Sequence, residues 1–212
     1  MTAAIDVGAL ETAASSARTR TFWPGLMIVV AGAVQGDGAL ITTAYRGMSP
    51  VSDDQLSFPW QGATAVTTSL IWGATQVLLV LGLIVFARQG APHARFGRSG
   101  AWLAVAGAAL YGVAHLVSVF VPDAALDDPA AIVVLTCFGV GTVLGAIGLL
   151  LAGVALLRHG TWTGWRRFTP VALGVWMVVM LPLQFTAALA LAVGVYAVAV
   201  IALGVALIEA ER

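Results

Sequence analysis

Two ionisable side chains stand inside long apolar runs of this sequence: Asp37 in AGAVQGDGALITTAY and His115 in AGAALYGVAHLV. An aspartate in hydrocarbon is unfavourable unless something offsets its cost. A carboxylate and an imidazole at a similar depth in a membrane are typical of a proton relay. The first hypothesis is therefore that Asp37 lines a polar cavity, with His115 near it, and exchanges a proton or a cation.

Both residues also have a plainer interpretation. Gly36 and Gly38 could end the helix early, so that residues 39–61 would form a long outer loop or re-entrant segment with Asp37 as a solvated cap. His115 could be a neutral ring bonded to a backbone carbonyl or to Tyr111. The sequence leaves these alternatives open.

Other polar side chains share the apolar runs. Gln35 is two positions from Asp37, so the two side chains of a regular helix point in roughly opposite directions. Tyr111, His115 and Ser118 recur at helical spacing and share one face. Gln76 lies near the middle of its run, where a glutamine usually bonds to a neighbouring helix. The candidate polar pathway or ligand site therefore consists of Gln35, Asp37, Gln76, Tyr111, His115 and Ser118.

The segment MSPVSDDQLSFPWQG combines adjacent acids with aromatic residues. Asp53, Asp54 and Trp60 could form a lid over the bundle or take a weak divalent cation. Two adjacent acids are too few to predict a calcium site, and the single cysteine, Cys137, excludes a cysteine-based metal cluster. We therefore predict neither a metal nor a cofactor.

Basic side chains gather in two other segments, RQGAPHARFGR and RHGTWTGWRRF. They are expected to attract the anionic headgroups of membrane lipids, at about 1 kcal/mol per basic residue near the surface. Topology alone would also place arginines there. The residues concerned are Arg88, Arg95, Arg98, Arg158, Arg166 and Arg167. The net charge is zero, so no nucleic-acid partner is predicted.

The composition indicates a chain whose main solvent is lipid. Of its 212 residues 60% are hydrophobic and only 9% are charged, and the mean hydropathy is +0.96. A soluble domain carries about a quarter charged residues. Apolar blocks long enough to cross the hydrocarbon core run at about 22–45, 62–87, 100–121, 131–157, 168–185 and 187–208.

The predicted fold class is all-α: a polytopic integral membrane protein with a six-transmembrane-helix bundle. Residues 1–20 form a cytoplasmic tail and residues 21–212 a single transmembrane domain, and the first span acts as an uncleaved targeting signal. The last two blocks separate at Pro182 and Gln184, with five spans as the alternative. The similarity of AGAVQGDGALI to AGAALYGVAHLV indicates a repeat of three helical hairpins.

Charge placement predicts the orientation. All the arginines except Arg46 fall on one set of loops, and the opposite loops hold Asp53, Asp54, Asp123, Asp127 and Asp128. The positive-inside rule then places both termini in the cytoplasm, and we expect the chain to lie in the cell (plasma) membrane.

Three functions are compatible with these features, and the sequence carries no recognised catalytic motif. A small-solute, proton or cation transporter or channel would bring the polar residues to one cavity. An accessory or scaffold subunit would satisfy them pairwise and leave an apolar face for a membrane partner or a second copy in a homo-oligomer. A lipid-modifying enzyme would hold Asp37 and His115 within reach of one atom.

Overall fold

The computed structural model describes residues 7–90, 95–159, 162–184, 186 and 188–210. The regular structure of these residues is helical, apart from one isolated β-bridge between two loops. A short π-helical turn, Phe86–Gly90, extends the second helix, and a 3-10 turn, Gly164–Phe168, precedes the fifth. The six α-helices are α1 (Val7–Arg46), α2 (Gly62–Val85), α3 (Arg95–Ser118), α4 (Pro129–His159), α5 (Thr169–Leu183) and α6 (Leu189–Glu209).

Six helical stretches are long and apolar enough to cross a membrane, one for each α-helix. The fifth stretch, Gly164–Leu183, includes the 3-10 turn, because α5 alone has 15 residues. Helices suit such blocks because a helix satisfies its own backbone polar groups, which water cannot do in hydrocarbon. α5 ends one residue after Pro182, and α6 begins five residues beyond Gln184. The predicted six membrane-length helices are therefore confirmed, and the alternative of five is wrong.

The first helix is continuous through the glycines that flank Asp37. α1 runs from Val7 to Arg46 without a break at Gly36 or Gly38. The interpretation of Asp37 as the cap of a helix that ends early is therefore wrong. Glycine is unfavourable in a helix by only about 1 kcal/mol relative to alanine, and an apolar solvent opposes release of the backbone groups. α1 also begins inside the segment predicted to be a tail, since most of residues 1–20 are helical.

The helices form a closed ring in which each one packs against its neighbours in the chain. α6 returns to pack against α1, and the α3–α4 and α1–α6 contacts are the most extensive. Glycines make both contacts close. A Cβ added to Gly107 on α3 would lie 2.6 Å from the backbone nitrogen of Gly145 on α4, and one added to Gly204 on α6 would lie 2.7 Å from the carbonyl oxygen of Gly25 on α1. Small residues allow such backbone approach between membrane helices. The grouping of the helices into three hairpins stays a prediction.

The ring has two ends that differ in charge. We call the end with the connections 47–61 and 119–128 the acidic end, and the end with Arg88, Arg95, Arg158 and Arg166 the arginine end. A cluster of large apolar side chains fills the half of the ring near the arginine end, and it includes Ile28, Leu83, Phe86, Leu156, Leu203 and Leu207. Most buried polar side chains of the spans lie in the other half, whereas Thr21 and Thr169 are buried near the arginine end.

The two connections at the acidic end pair with each other. Leu56 N donates to Ala124 O at 2.9 Å, and Leu126 N donates to Asp54 O at 2.8 Å. These bonds flank the bridge between Gln55 and Ala125. They join the α1–α2 connection to the α3–α4 connection, so the helix pair α1–α2 is linked to the helix pair α3–α4 at the acidic end.

Candidate functional site

Asp37 lies on the outer surface of the ring. Its side chain is exposed, whereas Gln35 is only 2% exposed and faces inwards. No described residue gives Asp37 a hydrogen bond or an ion pair. Because Gln35 and Asp37 are two positions apart on α1, their side chains point in roughly opposite directions. Asp37 therefore does not line the interior of the ring.

Asp37 lies well inside the apolar candidate span of α1. The span Thr21–Arg46 has 26 residues, which is about 39 Å at 1.5 Å per residue. If a core of about 30 Å is centred on that length, Asp37 lies about 9 Å inside its acidic-end boundary. The next turn towards that boundary still exposes apolar side chains, since Leu40 is 66% and Ile41 is 56% exposed. The carboxylate therefore stands in an otherwise apolar surface.

An interhelical hydrogen bond joins the inward face of α1 to α2. Gln35 Nε2 donates to Thr75 Oγ1 on α2 at 3.3 Å, and Thr75 Oγ1 donates to Trp72 O at 2.8 Å. Gln76, the next residue on α2, is also buried. Its Oε1 has no hydrogen-bond partner among the described residues.

His115 is enclosed by aromatic rings. Its imidazole makes edge contacts with Trp72 on α2, at a centroid distance of 5.7 Å, and with Phe138 on α4, at 4.9 Å. Trp72 also packs beside Gly38, where an added Cβ would lie 2.9 Å from the indole Nε1. His115 thus lies inside the ring between α2 and α4, while Asp37 lies outside it.

Tyr111 takes part in a hydroxyl cluster that joins three elements. Its Oη lies 2.5 Å from Thr142 Oγ1 on α4. Thr142 Oγ1 donates to Phe138 O at 2.8 Å, so Tyr111 is the donor in the first pair. Gln184 Nε2, just beyond α5, donates to the same threonine oxygen at 3.0 Å. These three bonds use the whole capacity of one hydroxyl group, which has one proton and two lone pairs.

The remaining predicted residues lie towards the acidic end. Ser118 Oγ is 2.8 Å from His115 O and 3.1 Å from Ser69 Oγ on α2. Asp53 and Asp54 are exposed in the paired connection. Trp60 stacks on Tyr45, with ring centroids 5.0 Å apart and planes 5° apart. Trp60 thus closes the end of α1 and does not reach the interior polar residues.

Two surface hollows stand apart from these residues. One, of about 650 Å³, lies on α3 at the arginine end, and the other, of about 540 Å³, lies on the 119–128 connection and the start of α4. Neither is lined by Asp37, His115 or Gln76. Within the described residues, no three histidine, cysteine or acidic side chains are grouped as metal ligands.

The structure thus brings together five of the six candidate residues and separates the sixth. Gln35, Gln76, Tyr111, His115 and Ser118 share the polar half of the ring interior, and Asp37 does not join them. Sequence reasoning missed Thr75, Thr142 and Gln184. Thr142 stands in a glycine-rich run that predicts helix packing, and Gln184 was interpreted only as part of the break between the last two spans. A signal was available in each case, because a polar side chain in a membrane span needs a partner.

Comparisons of the chain with protein-family models, with curated proteins and with solved structures found no match.

Proposed function

We propose that this protein is a non-catalytic membrane subunit that binds a partner along the outer face of α1. The observation that carries this proposal is the position of Asp37: an exposed carboxylate at hydrocarbon depth with no partner among the described residues. Such a group is costly in lipid. A partner that covers and pairs it removes that cost only in the complex.

The surface around Asp37 suits a second helix. The exposed residues Val30, Ala33, Asp37, Leu40 and Ala44 recur at spacings of three and four along α1. This is the spacing of a seam between two packed helices. A single polar residue in such a seam fixes register and partner choice, so Asp37 would select the partner and the apolar residues would supply contact area.

Charge complementarity identifies the partner class as a membrane-spanning helix with an arginine or a lysine opposite Asp37. No arginine or lysine occurs between Thr21 and Tyr45, and the arginines of the five later spans all lie at the arginine end, away from the depth of Asp37. A second copy of this chain would therefore place a carboxylate against a carboxylate. An ion pair across the seam requires a different chain.

The interior polar residues support a structural role. Gln35 is bonded to Thr75, Tyr111 to Thr142 and Ser118 to Ser69. Each of these bonds joins two helices, which is the usual role of polar side chains between membrane helices. The lipid-modifying hypothesis loses its acid–base pair, because Asp37 faces outwards and His115 lies between Trp72 and Phe138.

The experiment measures association between the chain and a synthetic helix in lipid vesicles by resonance energy transfer. The probe is a leucine–alanine peptide of about 24 residues with one arginine about 9 Å inside the leaflet that faces the acidic end. The control peptide has leucine at that position. We expect the arginine peptide to bind about tenfold more tightly, and Asp37→Asn to abolish the difference. Asp53→Asn, which changes an exposed loop carboxylate, should leave it intact.

Equal binding of the two peptides, or an arginine preference that survives in Asp37→Asn, would contradict the proposal. Self-association of the chain that Asp37→Asn abolishes would also contradict it, because the occupant of the face would then be a second copy. Energy transfer between two differently labelled samples of the chain measures that outcome directly.

Transport by the interior polar residues is the second candidate, supported by one observation. Gln76 Oε1 is buried without a hydrogen-bond partner among the described residues, and a buried acceptor of this kind calls for a water or another donor. Under this proposal, proton flux into liposomes falls in Gln76→Leu and His115→Ala and is unchanged in Asp37→Asn. Flux no greater than in empty liposomes would contradict it.

A further inference from the structure

The larger hollow lies on one face of α3 at the arginine end. Its volume is about 650 Å³, and its lining residues are Arg95, Arg98, Ser99, Trp102, Leu103 and Ala106. These positions recur at spacings of one, three and four, which places them along one helical stripe. The stripe is about 16 Å long at 1.5 Å per residue, so one elongated molecule could follow it.

The hollow changes from cationic to apolar along its length. Arg95 and Arg98 are exposed at one end, and Leu103 and Ala106 form the other. No described carboxylate pairs with either arginine. Arg88 adds a third cation, because its guanidinium lies 6.0 Å from the centroid of the Trp102 ring. Tryptophan is typical of the depth at which headgroups meet acyl chains.

Two other arginines at this end, Arg166 and Arg167, are engaged by the chain itself. Arg166 donates through Nη2 to Thr163 Oγ1 at 2.8 Å and through Nη1 to Glu209 O. Arg167 lies over the ring of Phe168, with 4.8 Å between its guanidinium carbon and the ring centroid. Among the described residues, Arg95 and Arg98 on α3 make no such contact, whereas Arg88 lies over Trp102 much as Arg167 lies over Phe168.

We propose that this hollow is a binding site for one anionic glycerophospholipid. The phosphate accepts hydrogen bonds from the guanidinium groups of Arg95 and Arg98, whose planar fork matches a phosphate. The hydroxyl group of Ser99 donates a hydrogen bond to a headgroup oxygen, and an acyl chain packs along Leu103 and Ala106 on α3. The net negative charge of the lipid matches three cations with no described carboxylate partner. This site is independent of the outer face of α1.

The test is native mass spectrometry of the full chain in detergent with palmitoyl-oleoyl phosphatidylglycerol or the matching phosphatidylcholine. We expect one phosphatidylglycerol molecule to be retained in preference to phosphatidylcholine. The double variant Arg95→Gln/Arg98→Gln should lower its apparent affinity about tenfold or more. The matched control, Arg158→Gln/Arg167→Gln, removes the same charge from the same end and should leave the affinity within about twofold.

Two further measurements separate a lipid from a free phosphate. Ala106→Trp fills the apolar end without changing any charge and should weaken phosphatidylglycerol binding. Glycerophosphate, which has the phosphate but no acyl chain, should not displace the lipid at equal concentration. Three results would overturn the proposal: equal loss in both double variants, equal binding of the two lipids, or displacement by glycerophosphate.

Discussion

Asp37 and Gln35 show how two neighbouring polar residues can have opposite roles. Gln35 is buried and bonded to Thr75, so it contributes to the cohesion of α1 and α2. Asp37 is exposed and has no described partner, so the isolated chain gains nothing from its carboxylate. A carboxylate that costs free energy in lipid and has no described hydrogen bond or ion pair in the isolated chain is best explained by a complex.

The two residues therefore differ in their expected effect on stability. Asp37→Asn should leave the free energy of unfolding in nanodiscs unchanged or raise it, because no described contact is lost and a charge is removed from lipid. Gln35→Leu should lower it by about 1 kcal/mol, through loss of one interhelical hydrogen bond. Thermal unfolding followed by circular dichroism measures both. Marked destabilisation by Asp37→Asn would contradict the assignment of Asp37 to the outer surface.

The sequence identified these side chains as unusual but could not tell which of them faces inwards. Two residues two positions apart point in opposite directions on any helix, so the opposition of Gln35 and Asp37 followed from spacing alone. The rotation of α1 against α2 and α6 decides which one is buried. That rotation depends on the glycine contacts between helices, and such contacts cannot be read from the sequence of one helix alone.

At the scale of elements, glycines determine how closely the helices approach. The α3–α4 contact depends on Gly100, Gly107, Gly141 and Gly148, whose missing side chains let the two backbones approach closely. The glycine spacing on α4 predicts a close packing face. The helix that packs against this face is α3, which precedes α4 in the chain, and a short connection between two helices favours their packing together.

Gly148→Ala should separate α3 from α4. The added Cβ would clash with the backbone nitrogen of Ala104, and backbone atoms cannot move aside as a flexible side chain can. Overpacking of this kind costs about 1–3 kcal/mol. The matched control is Gly139→Ala on the same helix, where nothing lies within 4 Å of the added Cβ. Equal unfolding free energies for the two variants would show that the α3–α4 contact is looser than described.

At the scale of the whole molecule, the ring divides into a polar half and an apolar half. The polar half lies towards the acidic end and the large apolar side chains lie towards the arginine end. Hydropathy predicted the apolar blocks, because such blocks have few other structures available in lipid, and Pro182 with Gln184 predicted the break between the last two helices. The closure of α6 onto α1 was beyond sequence reasoning, since those helices are remote in the chain and share no pattern that pairs them.

We propose that the arginine end and both termini face the cytoplasm, as the positive-inside rule predicts. In a Cys137→Ala background, Ser52→Cys at the acidic end should react with a membrane-impermeant maleimide on intact cells. Thr163→Cys at the arginine end should react only after the membrane is permeabilised. Both positions are exposed. Labelling in the reverse order would invert the topology.

The most direct test of the central claim is to measure whether position 37 is surrounded by lipid, water or protein when the chain is in a bilayer. Nitroxide labels placed one at a time at positions 31, 33, 35, 37, 39 and 40, in a Cys137→Ala background, would report collisions with oxygen, which concentrates in lipid, and with a water-soluble nickel chelate. We predict high oxygen and low nickel accessibility at positions 33, 37 and 40, and low accessibility to both at 31, 35 and 39. High nickel accessibility at position 37 would place it in a water-filled path, and low accessibility to both reagents there would place it inside the protein. Either result would contradict an outer face of α1 that carries its carboxylate into lipid.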